Sequence, residues 1–130
     1  MKHSVLVVED NQPNRELLCD WLDVEGYEVW SAADLQTSFG VFPKRLPDVV
    51  LLDINLGDEN GLDLVAWMRQ RPETLHIPVI AVTAHALVAE QEVILQAGCK
   101  ACLSKPINFK SLSELLSHWL PADIVSRPNS

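Results

Sequence analysis

The sequence has few cysteines, no long hydrophobic run and far fewer basic than acidic residues. Its three cysteines in 130 residues are too few for the disulfide framework of a small secreted domain. No stretch reaches the roughly 20 apolar residues of a membrane-spanning helix. The N-terminus lacks the long apolar segment and the cleavage site of a signal peptide. We therefore expect a cytoplasmic protein.

The shortage of basic residues leaves a formal net charge of −8, with 10 Lys and Arg against 18 Asp and Glu. Residues 1–65 carry 13 acids and 4 bases, whereas residues 66–130 carry 5 acids and 6 bases. An acidic surface repels phosphate backbones and anionic lipid, so direct binding to nucleic acid or membrane is disfavoured. The acidic excess of the first half either covers a solvated surface or forms a site.

The remaining composition is that of a globular protein, with 48% hydrophobic and 22% charged residues. A chain of this length forms one domain and buries roughly two-thirds of its unfolded surface, so it needs no disulfide or structural metal. We expect the domain to cover residues 1–121 and residues 122–130 to form a loose C-terminal tail.

Hydrophobic periodicity predicts the fold class. Five short apolar runs lie at residues 5–8, 27–30, 49–52, 77–82 and 101–103. Continuous runs of this length are typical of strands buried on both faces of a parallel sheet. Amphipathic segments alternate with them at residues 13–24, 34–46, 62–70, 86–97 and 109–120. The second is the least regular, because Gly40 and Pro43 interrupt it. The alternation predicts an α/β fold with helices on both faces of the sheet.

Helical spacing predicts which side chains face the core. In the first amphipathic segment the inward stripe is Leu17, Leu18, Trp21 and Leu22. In the fourth segment it is Val88, Val93, Ile94 and Ala97. We expect that helix to end at Gly98, since glycine is the typical C-cap.

Polar side chains follow four of the five apolar runs. Ligands of open α/β sheets bind outside the carboxyl ends of the strands, so these side chains are expected at one edge. They are Glu9, Asp10, Asp53, Thr83 and Lys105. Taken singly, each is more simply a helix cap, a turn residue or a solvated charge. The convergence of all five favours a site.

The chemistry of such a site is that of phosphoryl transfer. Three crowded carboxylates repel one another unless a cation lies among them. An all-oxygen site suits Mg²⁺, so Glu9, Asp10 and Asp53 are candidate ligands, with a backbone carbonyl nearby. A carboxylate beside Mg²⁺ can attack phosphorus. Lys105 and Thr83 would then neutralise phosphoryl oxygens.

Residues 4–120 resemble a receiver domain of the two-component response regulators. The motifs are VLVVEDN at 5–11, PDVVLLDINLGDENG at 47–61, IPVIAVTAHA at 77–86 and GCKACLSKPI at 98–107. The resemblance implies a flavodoxin-like (βα)5 fold, a doubly wound parallel sheet with strand order 2-1-3-4-5. It implies that Asp53 is the phosphoacceptor and takes a phosphoryl group from a phosphohistidine.

The same resemblance implies the roles of the remaining site residues. Glu9, Asp10 and Asp53 would surround Mg²⁺, and the backbone carbonyl of Asn55 would be a further ligand.

Thr83 would be the switch hydroxyl that moves toward the phosphoryl group. Lys105 would pair with that group, and its peptide bond to Pro106 would be cis.

The implied partners are a sensor histidine kinase or a histidine phosphotransfer protein. Downstream, a target protein would bind the face of the fourth helix, fifth strand and fifth helix, at residues 86–97, 100–104 and 108–119. The chain holds no output domain, so we expect a single-domain regulator of the chemotaxis-regulator-like, phosphorelay or cell-cycle type. It would be a phosphoacceptor switch that assists its own phosphorylation and dephosphorylation, and not an enzyme.

Two positions depart from the family pattern, and two others tune the chemistry of the site in relatives. Cys102 stands where the family usually has Tyr or Phe, so a relay from the threonine to an aromatic ring is in doubt. Gly57 replaces a frequent proline, which predicts a more mobile loop. His85 and Asn55 occupy positions that flank the phosphoryl group in relatives and tune its hydrolysis.

The turn into the third helix is marked by Asn60 and Gly61, a strong turn signal. Gly61 lies eight residues after Asp53, where the chain must change direction. Glycine permits a positive φ there, which is the expected reason for its presence.

A redox function is one alternative, because Cys99 and Cys102 form a C-x-x-C pattern. Redox cysteines of this kind lie at a helix N-terminus, whereas this pair enters a strand. Residues three apart in a strand face opposite sides, so we expect no disulfide.

A phosphatase of the haloacid dehalogenase type is a second alternative, because it shares the aspartate, Mg²⁺, threonine and lysine. Such enzymes carry a second aspartate two residues after the nucleophile, and here that residue is Asn55, which has no proton to exchange. A degenerate receiver that only binds partners, and a receiver fragment of a hybrid histidine kinase, are the remaining alternatives.

Overall fold

The computed structural model describes residues 2–84 and 87–120. In chain order the elements are β1 (Ser4–Val8), α1 (Gln12–Val24), β2 (Glu28–Ala32), α2 (Leu35–Val41), β3 (Val49–Asp53), β4 (Asn55–Leu56), β5 (Glu59–Asn60), α3 (Leu62–Arg69), β6 (Val79–Thr83), α4 (Val88–Ala97), β7 (Ala101–Ser104) and α5 (Phe109–Trp119). The predicted alternation is confirmed. The small antiparallel hairpin β4–β5 is an addition that the periodicity did not predict. The expected tail, residues 122–130, lies outside the described residues.

Five strands form one parallel sheet in the order β2-β1-β3-β6-β7. With the hairpin set apart, this is the predicted order 2-1-3-4-5. The register pairs Asp53 with Val82, and Thr83 with Ser104. The carboxyl ends of β3, β6 and β7 are therefore level, which brings their terminal side chains to one edge.

The sheet is buried on both faces. Leu6 and Val8 join a core cluster beneath α2, α3 and α4, whereas Val5 and Val7 join a second cluster beneath α1 and α5. The alternation follows from the two-residue period of a strand. Because both faces are covered, the strands read as continuous apolar runs. Each fully buried side chain of this kind contributes about 1.5–3 kcal/mol relative to an exposed one.

Three of the five helices, α1, α2 and α5, begin at a residue whose side chain caps the helix. The side-chain oxygens of Asn11, Asp34 and Asn108 each accept a backbone N–H three residues later. Such caps stabilise a helix start by about 1 kcal/mol each. The C-terminal end of α4 is capped by Gly98, which has a φ of 124°, as expected for a C-cap glycine.

Three residues expected in the core are exposed instead. Leu17 is 57% exposed, Val88 72% and Val93 57%. The helices α1 and α4 touch the core through narrow stripes, of which Leu18 and Ile94 are buried members. A residue one position away is rotated by about 100° around the helix axis, which turns Leu17 and Val93 toward solvent. The predicted stripes were therefore too wide.

The longest helix of the described chain is α1, with 13 residues. At 1.5 Å per residue it spans about 20 Å, less than the roughly 30 Å of a bilayer core. Within residues 2–84 and 87–120, no helix combines the length and apolarity needed to cross a membrane.

Candidate functional site

The structure brings the residues predicted from the strand ends to one edge of the sheet. Glu9 follows β1, Asp53 ends β3, Thr83 ends β6, and Lys105 follows β7. Asp10 lies next to Glu9 on the exposed rim. The parallel register explains this convergence, because every strand presents its carboxyl end at the same edge.

Lys105 joins two of the carboxylates. Its Nζ lies 2.8 Å from Asp53 Oδ2 and 3.2 Å from Glu9 Oε1. Glu9 and Asp53 are 2% and 3% exposed, so the carboxylates of both ion pairs are buried, whereas the Lys105 side chain is 26% exposed. Charge-assisted hydrogen bonds of this length are stronger than neutral ones. The peptide bond between Lys105 and Pro106 is cis, as the resemblance implies.

Backbone amides hold the remaining carboxylate oxygens in place. The N–H of Asn55 donates to Asp53 Oδ1 at 3.0 Å. The N–H of Asn11 donates to Glu9 Oε2 at 3.2 Å. Both oxygens of each buried carboxylate thus have a partner, which orients the two groups without help from solvent.

The pKa values of Glu9 and Lys105 reflect the crowding of carboxylates in this cluster. Burial, together with the hydrogen bond and charge of Asp53, raises the pKa of the Glu9 carboxyl to about 7, and the Asn11 N–H and Lys105 oppose this shift only in part. Burial lowers the pKa of Lys105, but the hydrogen bonds and charges of Asp53 and Glu9 outweigh it, so the pKa lies above its usual value. The site holds more negative charge than its one ammonium neutralises.

The donor set fits a hard divalent cation. One ligand atom from each of Glu9, Asp10 and Asp53 lies within 4.8 Å of the others. All three donors are oxygens, and Asp10 is exposed, which leaves space for water ligands. Mg²⁺ prefers such sites, where one or a few carboxylates are supplemented by waters. A cation there would also relieve the repulsion that raises the pKa of Glu9.

The loop after Asp53 is closed by Gly61. The N–H of Gly61 donates to the carbonyl of Ile54 at 2.7 Å. The expectation of a positive φ at Gly61 is wrong, because its φ is −57°. The reason for glycine is close approach: a Cβ there would lie 2.5 Å from the Asp53 carbonyl oxygen. Gly57 has the positive φ in this loop, at 59°.

Two residues that support the site were not predicted from the sequence. Arg15 in α1 donates to the carbonyls of Glu9 at 2.9 Å and Asp10 at 3.4 Å, which holds the loop after β1. Glu59 Oε1 accepts the N–H of Leu35 at 3.2 Å, which ties the hairpin to α2. Neither contact follows a helix or strand period, so no pattern in the sequence pointed to it.

A cavity of about 550 Å³ opens beside the site, between the β3–α3 connection and α4. Its lining includes Asn55, Gly57, Thr83, Glu90 and Val93. Thr83 itself is buried. The cavity therefore connects the predicted switch residue with the exposed side of α4. His85, expected to flank the site, lies outside the described residues.

The cysteines do not resemble a redox pair. All three are free, and burial raises the pKa of the Cys99 thiol to about 12. Burial also raises the pKa of Cys102. The expectation that Cys99 and Cys102 face opposite sides is wrong, because both pack against the cluster beneath α2, α3 and α4. Cys99 precedes β7, so strand alternation does not apply to it.

Comparison with known proteins agrees with this geometry. A curated relative, the polar-differentiation response regulator DivK of Brucella anthropi, is 38% identical over 120 residues, which cover 92% of this chain and 98% of the relative. The receiver domain of the sensor histidine kinase PA1611 from Pseudomonas aeruginosa has a magnesium ion coordinated in its active-site cleft. It is 30% identical with a TM-score of 0.83, over 92% of this chain and 98% of that one.

The chemotaxis response regulator CheY4 of Vibrio cholerae has the same fold, with a TM-score of 0.85 and 26% identity over 92% of this chain and all (100%) of that one. The family model described as the response regulator receiver domain matches residues 5–117. A match of this extent, on a sheet of this order, leads to one conclusion: the chain belongs to the receiver domain family of the response regulators.

Proposed function

We propose that the chain is a phosphoacceptor switch of a two-component or phosphorelay system. Asp53 takes a phosphoryl group from the phosphohistidine of a sensor histidine kinase or a histidine phosphotransfer protein. The observation that carries this proposal is the buried Asp53 carboxylate, held by Lys105 at 2.8 Å beside Glu9 and Asp10. The family places this chain among proteins that work in such systems.

The transfer is an in-line displacement at phosphorus. A carboxylate oxygen of Asp53 forms the new O–P bond, the N–P bond to the histidine breaks, and the electron pair returns to the imidazole nitrogen. Such a step requires mainly positioning and neutralisation of the phosphoryl oxygens. Asp53 is already oriented, because the Asn55 N–H and Lys105 hold its two oxygens.

Mg²⁺ is the cofactor that the Glu9, Asp10 and Asp53 oxygens would hold, with the Asn55 carbonyl as a further ligand. When bound, it supplies positive charge against the oxygens of the incoming phosphoryl group. Lys105, which follows the carboxyl end of β7, supplies a second positive charge. The Thr83 hydroxyl donates to a third phosphoryl oxygen.

Phosphorylation would add about −1.5 to −2 charges to this cluster. Lys105 and Thr83 are the groups that respond, and Thr83 connects through the cavity to α4. Since Cys102 replaces the usual aromatic residue, the response passes through Thr83 and the segment after it. The protein assists its own phosphorylation and dephosphorylation and is not an enzyme acting on other molecules.

The output surface is the face of α4, β7 and α5, at residues 86–97, 100–104 and 108–119. Large apolar side chains are exposed on it, namely Leu87, Val88, Val93 and Leu95. Apolar exposure of this kind favours contact with a protein, not with nucleic acid. We infer a role in phosphorelay or cell-cycle signalling in the cytoplasm. The likeness to a polar-differentiation response regulator supports the signalling part of this inference.

The functional unit is residues 1–121, followed by the tail at 122–130. A receiver piece of a larger hybrid kinase would have the same site, as the Pseudomonas neighbour illustrates. The phosphatase alternative finds no support, because Asn55 offers Asp53 a backbone N–H and no acidic proton.

The direct test is labelling with acetyl phosphate and Mg²⁺, followed by intact-mass measurement. Wild-type protein is expected to gain one phosphoryl group, and Asp53→Asn is expected to gain none. Asp20→Asn is the matched control, because Asp20 is an exposed aspartate on α1. Undiminished labelling of Asp53→Asn would refute the assignment.

A further inference from the structure

A second cavity lies at the opposite end of the sheet from Asp53. It has a volume of about 450 Å³ and opens between the connection from α2 to β3 and the connection from α3 to β6. The residues that matter for its chemistry are Phe42, Lys44, Arg45, Trp67, Arg71 and Glu73. Both connections precede their strands, so the cavity is at the amino ends of β3 and β6. The phosphoacceptor chemistry uses none of these residues.

One wall of the cavity is a fixed guanidinium plane. The Arg71 guanidinium carbon lies 3.9 Å from the centroid of the Trp67 ring. Arg71 also donates to the carbonyl of Trp67 at 2.8 Å. Trp67 is itself held by Phe39 and Phe42, whose ring centroids are 5.2 and 5.3 Å away. Arg71 is thus oriented by packing, and in the described part of the chain no carboxylate forms an ion pair with it.

The cavity is positively charged although the protein carries a net charge of −8. Its lining has three cations, Lys44, Arg45 and Arg71, against the single carboxylate of Glu73. Arg45 is also paired with Glu28 and lies 4.6 Å from the Trp30 ring centroid. Lys44 is exposed, with no ion-pair partner among residues 2–84 and 87–120. The unneutralised charge comes mainly from Lys44 and Arg71.

The residues that line this cavity suit a ligand that has both a flat ring and an anionic group. A guanidinium plane stacks on nucleobases, and lysine binds phosphate as a point charge. The volume is within the roughly 300–1,000 Å³ of small-molecule pockets. We propose that this cavity binds a nucleotide, with its base stacked on the Arg71 guanidinium and its phosphates paired with Lys44. A linear acidic peptide fits less well, because its carboxylates would pair with the cations but it has no flat ring to stack on Arg71.

The test uses nuclear magnetic resonance of the ¹⁵N-labelled full chain in EDTA, which removes divalent cations from the phosphoacceptor site. The probes are ATP, adenosine, tripolyphosphate and an octaglutamate peptide. ATP is expected to shift the Trp67 indole N–H signal to saturation. Adenosine and tripolyphosphate should each bind at least about tenfold more weakly, because each supplies only part of the contacts.

Variants locate the site. Arg71→Gln is expected to weaken ATP binding about tenfold, because the planar group on which the base stacks is lost. Lys44→Gln removes an exposed ammonium and should weaken ATP binding about threefold. Lys110→Gln is the matched control, because Lys110 is an exposed lysine on α5 far along the chain from this cavity. Acetyl phosphate labelling should remain unchanged in all three variants, so this proposal and the phosphoacceptor assignment fail separately.

The proposal is overturned if ATP produces no saturable shift, or if Arg71→Gln and Lys44→Gln both bind ATP as wild type does. It is also overturned if tripolyphosphate binds as tightly as ATP, since the ring would then play no part. Tighter binding of octaglutamate than of ATP would identify the cavity as a peptide site instead.

Discussion

At the carboxyl ends of the strands, three carboxylates cluster and two of them pair with one ammonium; at the amino ends, one cavity is lined by three cations and one carboxylate. The two regions differ in burial as much as in sign. Glu9 and Asp53 are buried and interlocked with Lys105, whereas Lys44, Arg45 and Glu73 are exposed. Buried charges hold a geometry that covalent chemistry needs, at a cost in desolvation. Exposed charges keep their hydration and suit reversible binding.

The largest expected difference between the two ends concerns Mg²⁺. Asp10→Asn removes one of three clustered carboxylates and is expected to lower Mg²⁺ affinity at least about tenfold, since even changes around metal ligands cost about 10–100-fold. Glu73→Gln makes the same change of charge at the other end and should leave the affinity unaltered. Calorimetric titration measures both. An unchanged affinity in Asp10→Asn would rule out Asp10 as a ligand.

Replacing glycine by alanine at two different positions should distinguish an effect on stability alone from an effect on phosphorylation as well. Gly61→Ala places a Cβ 2.5 Å from the Asp53 carbonyl oxygen, and Gly98→Ala forces alanine to φ 124° beside Arg69. Each is expected to lower the free energy of unfolding by about 1–3 kcal/mol. Only Gly61→Ala should also slow acetyl phosphate labelling, because only it displaces Asp53.

Urea unfolding and labelling rates check this pair of variants. Gly40→Ala serves as the baseline, because a Cβ at this position in α2 meets nothing within 4 Å. It should be neutral or stabilising by about 0.5–1 kcal/mol. Equal labelling by Gly61→Ala and wild type would mean that the contact does not position Asp53.

The smallest expected effect is at the cysteines. With its pKa raised to about 12, the Cys99 thiol is almost fully protonated at neutral pH and should react with a thiol reagent only after unfolding. Cys99→Ser is expected to leave labelling of Asp53 unchanged. Rapid reaction of Cys99 in the folded protein, or loss of labelling in the variant, would revive the redox alternative.

The sheet and its edge were predictable from the sequence, because each strand is marked locally by an apolar run and by the polar residue that follows it. Continuous apolar runs ending in Asp53, Thr83 and Lys105 identify strands buried on both faces and the edge where they meet. Exposure of Leu17 and Val93 was not predictable in this way, since their side chains are apolar and adjacent to the buried stripe. The width of the helix surface that the sheet buries depends on packing between elements that are distant in the sequence.

The contacts of Arg15 and Gly61 that support the site were not predictable from the sequence, for a related reason. Arg15 reaches two backbone carbonyls, and the role of Gly61 depends on a carbonyl eight residues earlier. Backbone groups are the same at every position, so a sequence does not mark which of them a side chain will meet. The prediction for Cys99 and Cys102 is wrong because Cys99 lies before the start of β7, where strand alternation does not hold.

The hydrogen bond from Gly61 to Ile54 makes the segment between them a closed ring. The ring closes at Gly61, which lies against the backbone of Asp53, whereas Asp58 lies exposed on the far side of the ring. We expect substitutions at Asp58 to change the exposed surface of this loop and to leave the hydrogen bond from Gly61 to Ile54, and hence Asp53, in place. The ring thus separates a part of the loop that can vary in sequence from a part that positions the phosphoacceptor.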